Sequence, residues 1–265
     1  MLPQNWRNWV LQNLLKGVDG HTLLSTLLDQ GFIFEDCQKA LGSNLKLPIS
    51  VTKNADFYAA LAAPGILSQP GDLQLNYVDE HDSQLLSIES FLSPAECQAI
   101  IDLAKRKLRP STITQAEGYA DFRTSRTCDL SYLDSPVVKS LHDKIHTTLG
   151  LAHGSTEPMQ AQHYAVGQEF KAHTDYFEPG SEEYRRFAKE RGQRTWTFMI
   201  YLNQQCEGGE TEFPELNKRF KPVQGRALLW NNLKPSGHPN PRTLHLSHPV
   251  QSGEKWVITQ WFRDQ

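Results

Sequence analysis

Between positions 5 and 41 the apolar residues recur every three or four places: Trp6, Trp9, Val10 and Leu14, then Leu23, Leu24, Leu27 and Leu28, then Phe34, Cys37 and Leu41. Glycine breaks at 17–20 and 31–32 divide this run into three short amphipathic helices. The pattern predicts a small helical module over 1–45, a size that is marginal alone and would dock on its neighbour or on a partner. From 46 to 80 the periodicity weakens into a connecting segment with a short helix near 56–62, and Pro64, Gly65, Pro70 and Gly71 mark its exit.

From 81 onward the period changes. Residues 84–88 read as a strand, and Ser93-Pro94-Ala95-Glu96 supplies an N-cap, a proline in the first turn and a capping-box glutamate for a helix through about Lys107. Short apolar or alternating runs then dominate, at 160–164, 195–202, 227–230, 245–246 and 256–262. Turn-rich stretches at 206–209, 222–225 and 235–241 separate them, and a helical insert at 182–191 interrupts the series. Many short strands with tight turns predict an α+β chain, mainly β: a β-sandwich or jelly roll over 81–265, flanked by helices.

The chain has 265 residues, 38% hydrophobic and 22% charged, with a net charge of -3. That is ordinary globular composition, and no basic stripe for nucleic acid is evident. No run approaches the ~20 apolar residues of a membrane span, and the N-terminus has no apolar signal core, so the expected location is cytoplasmic. Cys37, Cys97, Cys128 and Cys206 are scattered without CxxC spacing, which argues for reduced thiols rather than zinc or disulfides.

Against this background His173-Thr174-Asp175 stands out. On a strand, residues two apart share a face, so the imidazole of His173 and the carboxylate of Asp175 could reach one metal ion. His245 is distant enough to come from another strand, and two histidines with one carboxylate form the facial set that holds non-haem Fe(II) with positions left open. His248 stands three residues from His245, on the opposite strand face, so the two cannot both be ligands.

HTD does not stand alone. QHYAVGQEF precedes it, and GQRTWTFMIYLN, GGETEFP, PVQGRA, HLSHPV and GEKWV follow in order. With FLSPAECQAIIDLAKRKLRPS and FRTSRT upstream, this set closely resembles the catalytic domain of the prolyl 4-hydroxylase group of Fe(II)/2-oxoglutarate-dependent dioxygenases, over about residues 85 to 263. The resemblance implies a double-stranded β-helix and assigns His173, Asp175 and His245 to iron. It implies that Lys255, ten positions after His245, pairs with the distal carboxylate of 2-oxoglutarate, and this spacing selects His245 over His248. Tyr201 matches a tyrosine that helps bind that carboxylate, and Tyr164 and Thr197 match pocket-lining positions. Core packing competes for the last two.

The implied reaction hydroxylates a substrate carbon with O2 while 2-oxoglutarate becomes succinate and CO2, and kinship alone suggests L-ascorbate. The family's substrate is proline within a peptide. Arg123 and Ser125 match positions near its substrate groove, with surface charge as the alternative for Arg123. The loop following the HTD motif, through 191, could close over a peptide. Two departures stand out: Ser247-His248 replaces the common Gly-Cys, and Trp230 replaces the usual phenylalanine, narrowing the pocket. His163 and His238 carry no supporting pattern. Two other functions remain open at this stage, hydroxylation of a free amino acid or other small molecule and a non-catalytic jelly-roll binding or sensor module; nucleobase repair lacks the basic groove it needs. No task is assigned to residues 1–75.

Overall fold

A computed structural model describes residues 2–45, 53–68, 71–79, 83–111, 122–131, 135–151, 154–189 and 191–265. The chain divides into two compact units, Met1–Lys53 and Asn54–Gln265. In the first, helices α1 (Gln4–Leu15), α2 (Gly20–Asp29) and α3 (Phe34–Leu41) occupy the three stretches with helical spacing. Gly17 and Gly31, which end α1 and α2, have φ of 81° and 84°, a backbone that side chains with a Cβ rarely adopt. Asp19 caps α2 by accepting from the N–H groups of His21 and Thr22. Val10, Leu23, Leu27, Cys37 and Leu41 form the buried core of this unit, and Trp6 packs edge-on against Trp9 and Phe32.

The second unit carries helices α4 (Ala55–Leu61), α5 (Gly65–Ser68), α6 (Pro94–Lys105) and α7 (Pro136–Leu149). Its strands are β1 (Leu75–Asp79), β2 (Leu85–Ile88), β3 (Arg109–Pro110), β4 (Arg126–Leu130), β5 (Ser155–Thr156), β6 (Met159–Tyr164), β7 (Phe170–His173) and β8 (Arg194–Tyr201). They continue with β9 (Cys206–Gly208), β10 (Thr211–Phe213), β11 (Lys218–Phe220), β12 (Ala227–Asn231), β13 (His245–Ser247), β14 (Val250–Gly253) and β15 (Lys255–Arg263).

A large antiparallel sheet runs β1-β2-β12-β8-β15-β6-β4-β3, with β5 on β15. A small one runs β11-β10-β13-β7, and β14 pairs with β9. Alternation divides the large sheet's side chains. Ile258 and Phe262 of β15, with Trp196, Phe198 and Ile200 of β8, join the apolar stripes of α6 and α7 in the main core. Lys255, Val257, Thr259 and Trp261 point the other way and line a pocket shared with the small sheet. This is the double-stranded β-helix, with helices covering one face.

Three expectations change. Residues from Asn54 onward are integral to the second unit rather than part of a connecting segment: β1 extends the large sheet, and the Leu61 carbonyl accepts from Trp196 Nε1 at 2.8 Å. Helix α7 lies outside the predicted elements, although Ser135 caps it, Pro136 opens it, Gly150 closes it at φ 61°, and Val138, Leu141, Ile145 and Leu149 make its buried stripe. The insert at 182–191 contains a wide π-type turn, Tyr184–Ala188, tied down where Arg263 donates to the Phe187 carbonyl. The Ser93–Glu96 capping box is formed as the sequence predicts. No helix among the described residues is long and apolar enough to cross a membrane.

Candidate active site

β7 and β13 are neighbours in the small sheet, and His245 is the direct cross-strand partner of His173. Their rings lie 4.3 Å apart between centroids. Asp175 differs from the sequence picture: β7 ends at His173, and the carboxylate comes from the bend just beyond it. It still converges, with Oδ1 3.9 Å from His173 Nε2 and Oδ2 4.0 Å from His245 Nε2. One ligand atom from each residue lies within 4.8 Å of the others, the sole such group among the described residues.

The tautomers are fixed from outside. His173 Nδ1 is 2.8 Å from the Lys171 carbonyl and His245 Nδ1 2.9 Å from that of Thr243. A carbonyl only accepts, so each Nδ1 donates and Nε2 is the nitrogen turned toward the centre of the group. Burial, then the neighbouring His245, lowers the His173 pKa to about 3, so its ring is neutral near pH 7. For Asp175 burial pushes the pKa up, but His245, His173, Arg194 and the Thr197 hydroxyl outweigh it and hold the carboxyl below its ordinary value. Two imidazoles and one carboxylate aimed at a common point fit a facial site for divalent iron.

Aromatic rings wall the group. Phe170 stacks on His173 at 3.5 Å, and Trp230 and Phe213 flank His245 at 4.9 and 5.4 Å. Further into the pocket lies Lys255, the first residue of β15 and 1% exposed. Its ammonium donates to Ser247 Oγ at 2.8 Å and sits 5.0 Å from the Tyr164 ring and 5.6 Å from that of Tyr201. Burial lowers the Lys255 pKa to about 7, against the opposing pull of Cys206 and Glu210. A buried cation whose partner is a hydroxyl favours an incoming anion.

The remaining candidates divide. Tyr164 lines the pocket and donates to Gln162 Oε1, and Tyr201 donates to Thr211 Oγ1. Thr197 is fully buried and does not line the pocket; its hydroxyl backs Asp175, donating to Oδ2 at 2.7 Å. Arg123 is not a free surface charge: it donates to Gln160 Oε1 at 2.7 Å, with its guanidinium 4.8 Å from the Phe170 ring. His248 turns away to Glu212, His163 pairs with Glu254, and His238 meets Ser236.

Gln162, Thr211, Ser247, Thr259 and Trp261 also line the pocket. Alternation could have found three of them, because Gln162 is two residues before Tyr164, and Thr259 and Trp261 share the face of Lys255. Behind Asp175, Glu157 bridges Arg194 and Arg263, and Arg194 reaches the Asp175 carbonyl at 3.4 Å. No sequence motif announces that cluster.

Residues 159–263 match the model of the 2OG-Fe(II) oxygenase superfamily, a span holding every site residue above except Arg123 and Glu157. Over 197 residues the chain is 34% identical to prolyl 4-hydroxylase 13 of Arabidopsis thaliana, covering 67% of this chain and 70% of that one. The chain belongs to this oxygenase family. It is a 2-oxoglutarate-dependent dioxygenase. Mouse prolyl 4-hydroxylase subunit alpha-1 is 32% identical over 71% of this oxygenase, but the match covers 36% of that subunit. The viral collagen prolyl hydroxylase of Paramecium Bursaria Chlorella virus-1, solved as a 2OG complex, aligns with a TM-score of 0.56 and 26% identity, covering 71% of this chain and 99% of that one.

Proposed function

We propose that this dioxygenase hydroxylates prolyl residues within a peptide or protein, with Fe(II) held by His173, Asp175 and His245. The observation that carries the reading is the convergence of those three donors beside a buried ammonium at Lys255. Iron and 2-oxoglutarate, when bound, supply the oxidising chemistry: one atom of O2 enters the substrate C–H bond and the other enters succinate, released with CO2.

The chain's own residues do the rest. Lys255 binds the far carboxylate of 2-oxoglutarate, Ser247 holds the ammonium in place, and the rings of Tyr164 and Tyr201 flank it. Phe170, Phe213 and Trp230 exclude water from the metal side. Arg123, fixed over Phe170, presents a rigid donor where a substrate carbonyl would arrive. An extended prolyl peptide suits such a groove because its backbone is already restricted.

Cys37, Cys97 and Cys128 are buried thiols, which favours a reducing compartment, the cytoplasm in this reading. Leu11, Leu15 and Ile33, each more than half exposed, support a docking role for the helical unit. L-Ascorbate serves as reductant on the same reading. The test incubates the full chain with Fe(II), 2-oxoglutarate and ascorbate, offers proline-containing peptides or free proline, and reads products by mass spectrometry. Gain of one oxygen on peptidyl proline, matched by succinate, supports the proposal. Oxidation of free proline alone, or none of either, overturns it.

A further inference from the structure

Asn232 follows directly on β12 and is fully buried, yet it faces no ligand position. Its side-chain amide donates to Thr197 Oγ1 at 2.8 Å, and Thr197 in turn donates to Asp175 Oδ2 at 2.7 Å. The polarity of this chain is determined by chemistry. An ionised carboxylate only accepts, so the single hydroxyl proton of Thr197 goes to Asp175, and Thr197 must accept from the NH2 of Asn232. Asn232 Oδ1 has no partner among the described residues, so the hydrogen bond to Thr197 is the work of this side chain.

The main chain of Asn232 leads to a second ligand. Its carbonyl accepts from Asn240 N at 2.9 Å; the Asn240 carbonyl accepts from Thr243 N and Oγ1; and the Thr243 carbonyl receives His245 Nδ1. Asn240 is itself held by donation to Ser83 Oγ. Two of the three donors, Asp175 from the bend after β7 and His245 from β13, therefore hang from one buried residue.

We infer that Asn232 is a positioning residue for the metal site: through Thr197 it sets the rotation of the Asp175 carboxylate, and through its carbonyl it holds the loop that delivers His245. This rests on the assignment of iron to His173, Asp175 and His245. With the Oδ2 side of Asp175 held by Thr197, the carboxylate keeps one orientation toward the imidazoles and does not have to be ordered by the metal when it binds. Outer partners of this kind are typically worth ten- to a hundredfold in metal affinity.

The test is anaerobic titration of the full chain with Fe(II) alone, followed by addition of 2-oxoglutarate to read the visible charge-transfer band. Thr197→Val keeps the shape and removes the hydroxyl; it is expected to bind Fe(II) about ten- to a hundredfold more weakly and to shift the band, while Thr197→Ser restores both. Asn232→Ala is expected to lose affinity in the wild-type background and to add nothing to Thr197→Val, because its side chain acts through that hydroxyl. Should Thr197→Val fail to fold, Asn232→Ala against Thr197→Ser carries the comparison. Wild-type Fe(II) affinity in Thr197→Val or in Asn232→Ala, or additive losses in the double variant, would overturn the inference. Asp175→Ala in the same titration separates the two layers: loss there with retention in Thr197→Val removes the relay alone, whereas retention in Asp175→Ala removes the metal assignment itself.

Discussion

The Lys255 ammonium donates to Ser247 Oγ at 2.8 Å in a pocket that leaves the lysine 1% exposed. The Ser247 hydroxyl thereby fixes the direction of the buried cation. The first prediction follows from the cost of that burial. Lys255→Ala should weaken 2-oxoglutarate binding on the order of a hundredfold or more, the usual result of truncating one partner of a buried charge pair, and leave Fe(II) affinity near wild type. Calorimetry with each ligand separately checks it. Undiminished co-substrate affinity would remove Lys255 from the site.

The same burial lowers the Lys255 pKa to about 7 and predicts a proton linkage. Below about pH 7 the free site is already charged and binding is insensitive to pH. Above it the lysine is neutral in the free chain, and a bound carboxylate must draw in a proton. Affinity for 2-oxoglutarate should therefore fall with rising pH, approaching tenfold per unit. Calorimetry in buffers of different ionisation heat should show proton uptake growing over that range. A flat profile through the alkaline range contradicts it.

Gly209 has a φ of 69°, and a Cβ there would lie 3.1 Å from Lys255 Cδ and 3.3 Å from Val250 Cγ2. Gly209→Ala should thus press on the lysine stem as well as strain the turn by roughly 1 to 2 kcal/mol. The expected outcome is weaker 2-oxoglutarate binding with Fe(II) affinity little changed, read in paired titrations. An equal loss of both would mean that the turn supports the whole site rather than the lysine.

Glu157 links Arg194 and Arg263 behind Asp175. Burial pushes its carboxyl up, but the two guanidinium groups outweigh that and lower its pKa from 4.5 to about 2. An unfolded chain takes up the proton near 4.5 while the folded one resists until about 2. The stabilisation is therefore complete above about pH 4.5 and disappears as pH falls toward 2. Glu157→Gln should cost on the order of 3 kcal/mol at neutral pH and flatten this limb of an acid-denaturation curve. An unchanged limb would show that the cluster contributes no linkage.

The legible part of this chain is the part with a short period or a compact motif. Spacing alone marked the three helices of the first unit, and the order of short segments around His173, Asp175, His245 and Lys255 led to the oxygenase family. What escaped was long-range. Helix α7 had its cap, proline and stripe in plain view, but the surrounding strand signals masked them. Asn54–Asp79 looked like a connection because its main role is met by distant partners, such as Trp196 donating to Leu61. Thr197 sits on the pocket side of β8, yet its hydroxyl is used by Asp175, which the alternation of a strand cannot reveal. Asn232 and the Glu157 cluster act through contacts 35 to 106 positions apart, and single-sequence patterns do not encode those pairings.

The central claim is most directly tested by anaerobic titration of the wild-type chain and of His173→Ala, Asp175→Ala and His245→Ala with Fe(II) and 2-oxoglutarate, followed in the visible. The account predicts a charge-transfer band in the wild type that needs both additions, saturates at a single iron per chain, and is lost in all three variants. No band in the wild type, or a wild-type band in His245→Ala, would contradict it.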